Sequence, residues 1–431
     1  MAPDLTVVLP ALHEGPNLQL LLPRLRAVLD PTGARYEILV ISPSPDAVTR
    51  EAAAANACRL LEQRARGYGG ALREALAEAR GEYVLTMDAD LSHPPDFAAE
   101  LWRARADADI LIASRWVKGG TATMPLSRKL LSRILNRFFA RGLGLPVRDL
   151  SSGFRLYRRR LLRPAELTST NFDVLQEILV RLYAEGWSVR EVPLRYEARA
   201  AGSSNARVIP FGLAYLRTFA RLWSLRNSIA SADYDDRAHD SIVPLQRYWQ
   251  RTRFRHVVTH LEPGARVLDV GCGSSRIISA LPAGSVALDV LPNKLRYARR
   301  FGRHLVLASG GRLPFPDASF PCVVCSQVVE HVPRDVPILE ELDRVLAPGG
   351  RLILGTPDYG SWQWPLIEAV YSRVAPGAYA HEHITHYTRR GLVERFEALG
   401  YRVEASPTIL RAELILVLRK AASPTAGPVT S

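Results

Sequence analysis

One stretch constrains this chain more than any other. Tyr83 to Met87 is a short, largely apolar run rich in strand formers, and it stops at Asp88-Ala89-Asp90, two carboxylates one residue apart. Alternate residues of an extended chain point the same way, so the pattern predicts both carboxylates presented together where a buried strand ends. Two hard oxygen ligands at such a place suit Mg2+ or Mn2+ bridging the phosphates of a nucleotide. The flanking sequence agrees. A strand over Leu5 to Leu9 ends at Pro10-Ala11-Leu12-His13-Glu14, and Asn17 to Leu29 has helical periodicity. A second strand runs from Tyr36 to Ile41 and turns at Ser42-Pro43-Ser44-Pro45-Asp46 into a helix over 47–56. Strand and helix alternating in this way predict an α/β fold with a parallel sheet, its site at the carboxyl ends of the strands.

A set of ordered motifs carries a family resemblance. It comprises Pro10 to Glu14, the turn Gly67-Tyr68-Gly69-Gly70-Ala71, Asp88 to Pro95, Ala113 to Gly120, and Asp149-Leu150-Ser151-Ser152-Gly153-Phe154-Arg155. Glu177, Glu191-Val192-Pro193 and Arg199 to Ser204 follow in order. Over about residues 4–226 the chain resembles family-two glycosyltransferases of the GT-A fold, close to the dolichyl- or polyprenyl-phosphate mannosyltransferases. The resemblance implies that Pro10, Ala11 and Glu14 line a nucleotide-sugar pocket. It also implies that Asp88 and Asp90 hold the metal and the donor, with Arg115 and Arg199 neutralising phosphate. Arginine suits that task because its planar fork grips phosphate at two points. A lipid-phosphate acceptor is already an anion and needs no base; a hydroxyl acceptor needs one, and Asp149 and Glu177 are the candidates. The chain departs from the family at Ser42-Pro43-Ser44-Pro45, where an acid ordinarily reads the base or ribose. It departs again at Ser92 and Asn205, where Gln and Lys are usual.

At 431 residues the chain predicts more than one domain, and the start has no signal-peptide pattern. Its net charge of +13 is uneven. Residues 124–163 hold eleven basic residues against Asp149 alone. Within them, Leu126, Leu130, Leu131, Ile134, Leu135, Phe138 and Phe139 fall on one helical stripe. Lys129, Arg133, Arg137 and Arg141 recur every fourth residue beside it. Phe211 to Arg226 shows a second such pattern. A basic amphipathic helix suits a membrane interface and its anionic lipids, so a peripheral place on the inner face of the membrane, within the cytoplasm, is expected. Of the four cysteines, Cys322 and Cys325 mimic a metal or redox motif but lie in a strand-like run without a second pair.

Residues 229–248 are polar and read as a linker. Beyond them, Arg266-Val267-Leu268-Asp269-Val270-Gly271-Cys272-Gly273 is a strand entering a glycine turn, and a second strand ends at Asp289. Glycines let backbone approach a ligand closely, and an acid after the next strand accepts ribose hydroxyls. Leu313 to Phe320, Cys322 to His331 and Leu339 to Leu354 continue the pattern, so residues 245–419 resemble the class I S-adenosylmethionine-dependent methyltransferases. That resemblance implies a Rossmann-like fold with Asp269, Gly271, Cys272, Gly273 and Asp289 binding S-adenosylmethionine. Ser309 and Pro321 stand where the family often has Asp. His331, and less so the cluster His381, His383 and His386, are candidates at the methyl acceptor, with His331 as base.

The reading is two doubly wound α/β domains. A GT-A glycosyltransferase (1–228) precedes the linker, and a methyltransferase (249–420) precedes a disordered tail (421–431). The expected function is a bifunctional enzyme: metal-dependent sugar transfer from a nucleotide-sugar to a polyprenyl-phosphate or glycan, and methylation of a glycan, lipid-linked or small acceptor. The alternative is an active methyltransferase whose degenerate glycosyltransferase domain serves as a binding or membrane-recruiting module. A nucleic-acid partner is not expected, because the basic excess lies outside the methyltransferase part.

Overall fold

The structure, a computed structural model, describes residues 2–196, 208–374 and 383–422. It divides into two compact units: Met1–Tyr183 with Trp187–Arg226, and Ala184–Gly186 with Asn227–Ser431. Among the described residues no helix is long and apolar enough to cross a membrane.

In the first unit the strands are β1 (Leu5–Pro10), β2 (Tyr36–Ser42), β3 (Arg59–Glu62), β4 (Tyr83–Thr86), β5 (Ile110–Ser114), β6 (Thr121–Ala122), β7 (Arg155–Arg158), β8 (Val189–Pro193) and β9 (Arg195–Tyr196). Seven form one sheet in the order β3-β2-β1-β4-β7-β5-β8. β1 pairs in parallel with both β2 and β4, in register from Leu5 opposite Tyr36 and Tyr83. The order therefore reverses between β1 and β4, and a crevice opens beyond their carboxyl ends. The sheet is not wholly parallel, since β7 runs antiparallel to both β4 and β5. Alternation along the strands sorts the core into two layers: Val8, Leu39, Ile41 and Val84 join one cluster, Val7, Leu9, Val40 and Leu85 the other. Burial on both faces explains why these strands read as unbroken apolar runs.

The second unit carries β10 (Val267–Val270), β11 (Val286–Asp289), β12 (His304–Leu307), β13 (Phe320–Ser326), β14 (Leu346–Pro357), β15 (Tyr401–Ala405), β16 (Thr408–Ile409) and β17 (Glu413–Lys420). Its sheet runs β12-β11-β10-β13-β14-β17-β15, with β16 beside β17. The first five are parallel and β17 is antiparallel to β14 and β15. Here the order reverses between β10 and β13, which places the Gly271–Gly273 turn and the segment after Ser326 at the switch point. Both units are thus doubly wound α/β structures. Cys322 and Cys325 fall in opposite core clusters, so they do not face a common ion.

Residues 229–248, expected as a linker, contain the helix Tyr234–His239 and the start of the helix Pro244–Thr259, and they count with the second unit. Their acids are paired rather than solvated. Asp236 holds Arg276 at 2.6 Å, and Asp235 holds Lys294 at 2.9 Å.

Candidate active sites

In the first unit, β4 ends at Thr86, so Asp88 and Asp90 sit just past the strand rather than on it. Asp90 is buried, and its Oδ1 accepts from the Ser92 backbone N–H at 3.1 Å and from Ser92 Oγ at 2.5 Å. Ser92 therefore helps to orient Asp90. Asp88 is about a third exposed and lies beside His93, which is 3% exposed. The Asp88 N–H donates to His93 Nδ1 at 3.0 Å. That bond fixes Nδ1 as acceptor, so the proton of the neutral ring is on Nε2, which faces Asp88 Oδ2 at 3.8 Å. Burial lowers the His93 pKa against the opposing pull of Asp88 and Asp90, which keeps the imidazole neutral.

Gly153 packs closely against Tyr68 and Asp88. A Cβ there would stand 3.1 Å from Tyr68 Oη and 3.3 Å from Asp88 Oδ1. Tyr68 is stacked on Phe172, and burial followed by the Asp88 charge raises its pKa well above the ordinary value. Gly67 and Gly69 answer to packing as well, because a Cβ on either would meet the carbonyl of Thr170 or Ser169 at 2.3 Å. The glycine turn is therefore shaped by its contact with the 169–170 segment.

Arg115 does not stand open to a ligand on its Nε side. Its Nε and Nη2 grip Asp149 at 2.8 and 2.7 Å, and its backbone N–H adds a third bond at 3.0 Å. Burial opposes ionisation of Asp149, but Arg115 overcomes it and holds the pKa below the usual carboxylate value. Glu177, the other candidate base, is fully buried. It accepts from the Ser169 and Thr168 N–H groups at 2.8 and 3.1 Å and pairs with Arg181 and Arg221. Its pKa likewise falls below the ordinary value although burial works the other way. Both acids are thus held ionised by their partners.

Ala11 is buried and continues the β1–β2 ladder through its N–H to Ile41 O at 2.8 Å. Pro10 closes β1, and Glu14 accepts from Asn17 Nδ2 at 2.5 Å at the start of the helix Gly15–Leu29. Ser42 is buried at the end of β2, and Asp46 caps the helix Ala47–Ala55 by accepting from Thr49 N at 2.7 Å. Arg199 lies outside the described residues.

In the second unit the glycine turn departs from β10 with Gly271 at φ 69° and Gly273 at φ 54°, left-handed conformations that favour glycine. The Gly273 N–H donates to Asp289 Oδ2 at 2.8 Å, and Leu291 N donates to Oδ1 at 2.8 Å. Burial raises the Asp289 pKa. Cys272 follows the turn inward and is buried. Asp269 is buried with Oδ2 lacking a hydrogen-bond partner among the described residues, and burial, then the Asp289 charge, pushes its pKa up to about 7. An orphaned buried carboxylate oxygen beside a glycine turn suits a cationic ligand, which is the character of S-adenosylmethionine. Asp235 also reaches the turn, its Oδ2 accepting from Ser274 N and Oγ at 3.1 and 3.0 Å. Nothing in the sequence pattern pointed to it, because its helix read as linker.

At the end of β13, His331 meets Glu330 and His383, with one ligand atom of each within 4.8 Å of the others. His331 and His383 rings are 4.9 Å apart, and His386 stacks on Tyr359 at 3.9 Å. His381 lies outside the described residues. Burial pushes the Glu330 pKa up to about 8; burial, then His331 and His386, lowers that of His383 to about 4.

The family model for glycosyl transferase family 2 matches residues 6–164, and that for a methyltransferase domain matches residues 268–354. The dolichol-phosphate mannosyltransferase of Pyrococcus furiosus is 32% identical over 235 residues, covering 52% of this chain and 65% of the relative. The low-salt glycan biosynthesis hexosyltransferase Agl6 of Haloferax volcanii is 29% identical, covering 50% and 53%. The chain thus spans less than two thirds of either relative. The dolichol-phosphate mannosyltransferase of Saccharomyces cerevisiae is 27% identical, covering 52% of this chain and 95% of the relative. Among solved structures, glucosyl-3-phosphoglycerate synthase from Mycobacterium tuberculosis aligns with 52% of this chain and 80% of its own at 22% identity and TM-score 0.40. YcgJ from Bacillus subtilis aligns with 40% of this chain and 99% of its own at 15% identity and TM-score 0.33. The chain thus carries a region that matches the glycosyl transferase family 2 model followed by a region that matches a methyltransferase-domain model.

Proposed function

We propose that the first unit transfers a sugar from a nucleotide diphosphate donor, with Mg2+ or Mn2+ held by Asp88 and Asp90, to a lipid-phosphate or glycan acceptor. The observation that carries this is the position of the two acids just beyond β4, at the switch point next to β1, which Pro10 closes and Ala11 and Glu14 follow. The donor set fits a hard divalent cation, and Gly153 leaves room beside Asp88. The bound metal supplies Lewis-acid relief of charge on the departing diphosphate. Ser92 fixes Asp90, and neutral His93 steadies Asp88 without adding positive charge. Arg115 acts by positioning through Asp149. The engagement of Asp149 and Glu177 favours an acceptor that arrives as an anion, because neither carboxylate is placed to take a proton. Arg199 is assigned to phosphate from its motif.

The helix Leu126–Gly142 supports a lipid acceptor. Six of its apolar side chains stand exposed, from 46% at Leu135 to 83% at Leu126, while Phe139 is buried and both Phe138 and Phe139 pack against Phe219. A contiguous apolar face edged by Lys129, Arg133 and Arg137 suits an anionic membrane surface. The second unit we read as methylating a glycan, lipid-linked or small acceptor, with S-adenosylmethionine held by the Gly271–Gly273 turn, Asp269 and Asp289.

The test is a panel of nucleotide sugars with Mn2+, read by thermal shift and by release of nucleoside diphosphate. A ligand near 100 times its Kd adds about 2.7 kcal/mol. One donor should raise the melting temperature of the chain and be turned over, and Asp90→Ala should lose both effects. The run Ser42-Pro43-Ser44-Pro45, which holds no acid, favours the second reading of a module that binds without turnover. A donor that binds with Mn2+ but is never cleaved would select that reading.

A further inference from the structure

Glu330 lies in the short turn Val329–His331 that follows β13. Its side chain is fully buried: Oε2 accepts from Thr356 Oγ1 at 3.1 Å, and Oε1 has no hydrogen-bond partner among the described residues. A sealed carboxylate oxygen without a donor is costly unless a cation answers it. His331 and His383 are the neighbours that complete a cation site, one atom of each lying within 4.8 Å of the others. The Glu330 carbonyl accepts from Ile384 N at 2.9 Å and Thr385 N at 3.0 Å, which fastens the distant His383 segment to this turn. His383 Nδ1 faces Tyr359 Oη at 3.0 Å and Glu368 Oε1 at 3.2 Å. That leaves Nε2 as the metal-facing nitrogen, in the outer arrangement by which a carboxylate orients a ligating histidine.

The donor set differs in kind from the first unit's pair of aspartates. One carboxylate and two imidazoles suit a zinc-class transition ion rather than Mg2+, and three protein ligands leave a position open for substrate. The location is also suited to chemistry. Val328, two residues before Glu330, packs over the cofactor turn closely enough that a Cβ on Gly271 would meet it at 2.3 Å.

We propose that Glu330, His331 and His383 form a transition-metal site whose open position takes the oxygen of the methyl acceptor. This deepens, and rests on, the reading of the second unit as a methyltransferase. The acceptor hydroxyl bound there loses its proton to solvent at a lowered pKa. Its oxygen then forms the new O–CH3 bond as the S–CH3 bond of the sulfonium donor breaks. The electron pair of that bond stays on sulfur, leaving a neutral thioether. His331 acts as a ligand, and no separate base is needed.

The full chain, stripped with chelator, is titrated with Co2+ while bound metal is counted by mass spectrometry and visible absorption is recorded. The expected result is one Co2+ per chain with the intense bands of four- or five-coordinate cobalt, displaced by one equivalent of Zn2+. The bands should persist in Asp88→Asn/Asp90→Asn, disappear in His331→Ala, and require about tenfold more Co2+ in Glu368→Gln, which alters only the outer arrangement. Circular dichroism of each variant shows whether it has folded, and Glu368→Gln stands in should His331→Ala not fold. Weak six-coordinate bands only, or bands lost in Asp90→Asn and kept in His331→Ala, overturn the site. Binding of S-adenosylmethionine is measured calorimetrically on the same samples. Cobalt binding without cofactor binding removes the methyltransferase reading and with it the acceptor role; cofactor binding without cobalt removes the metal site alone.

Discussion

Asp269→Asn should make the second unit much more stable at pH 8 and only modestly more stable at pH 5. Asp269 is buried, and its pKa rises from 3.8 in the ordinary case to about 7, chiefly through burial and then through the Asp289 charge. The sign follows from proton counting. An acid whose pKa is raised on folding holds its proton in the native state where the unfolded chain has released it. Stability is therefore greatest below about pH 4 and falls as pH climbs toward 7. The gap between 3.8 and about 7 corresponds to about 4 kcal/mol at 1.36 kcal/mol per pH unit. An asparagine never ionises, so the variant escapes this loss, at the expense of attraction for a cationic cofactor. Hydrogen exchange read by mass spectrometry on peptides covering 266–272, corrected for intrinsic rates, isolates this unit from the other. Protection in the variant should exceed wild type by about three decades at pH 8 and by only about one decade at pH 5. Glu330, with its pKa near 8, adds a decline of the same sign, so the variant's curve falls too, only less steeply. Equal protection at pH 8, or a wild-type unit that gains stability between pH 5 and 8, would refute the reasoning.

Further outcomes follow from the first unit. Asp149→Ala leaves the Arg115 guanidinium buried without its partner and should cost about 3–5 kcal/mol in urea denaturation, while the double variant with Arg115→Ala recovers part of it. Gly153→Ala places a methyl group against Tyr68 and Asp88 and should cut sugar transfer at least tenfold, with the melting temperature moving by only a few degrees. Leu130→Glu/Leu135→Glu should abolish cosedimentation with anionic vesicles, and wild-type binding should weaken as salt is raised; unchanged sedimentation would remove the membrane face from the account.

The sequence disclosed the fold where physics is local. β1 and β4 are apolar on both faces and read as buried strands, and the acids after β4 and the glycines after β10 mark the two switch points from composition alone. What it concealed depends on distant partners. β7 is the segment Arg155–Arg158, whose arginines argue against a buried strand. Arg155 is nevertheless fully buried because the carbonyls of Leu150, Ser152 and Leu175 accept its guanidinium hydrogens. Helix Tyr234–His239 read as a solvated linker, since nothing local foretells that Asp235 and Asp236 pair with Lys294 and Arg276. Glu330 and His331 sit some fifty residues from His383, and only the fold brings them together. Ser92 and His93 were visible as residues within the motif, but their hold on Asp90 and Asp88 follows from the turn at Leu91, whose φ is 61°.

The central claim is that Asp88 and Asp90 hold a divalent cation against a nucleoside diphosphate. Mn2+ titration of the full chain with UDP or with GDP, followed by loss of the free-ion paramagnetic resonance signal, addresses it directly. One nucleotide-dependent Mn2+ should bind per chain, at least tenfold more weakly in Asp88→Asn and not at all in Asp90→Asn. Mn2+ and nucleotide binding that is the same in wild type and Asp90→Asn would contradict the account.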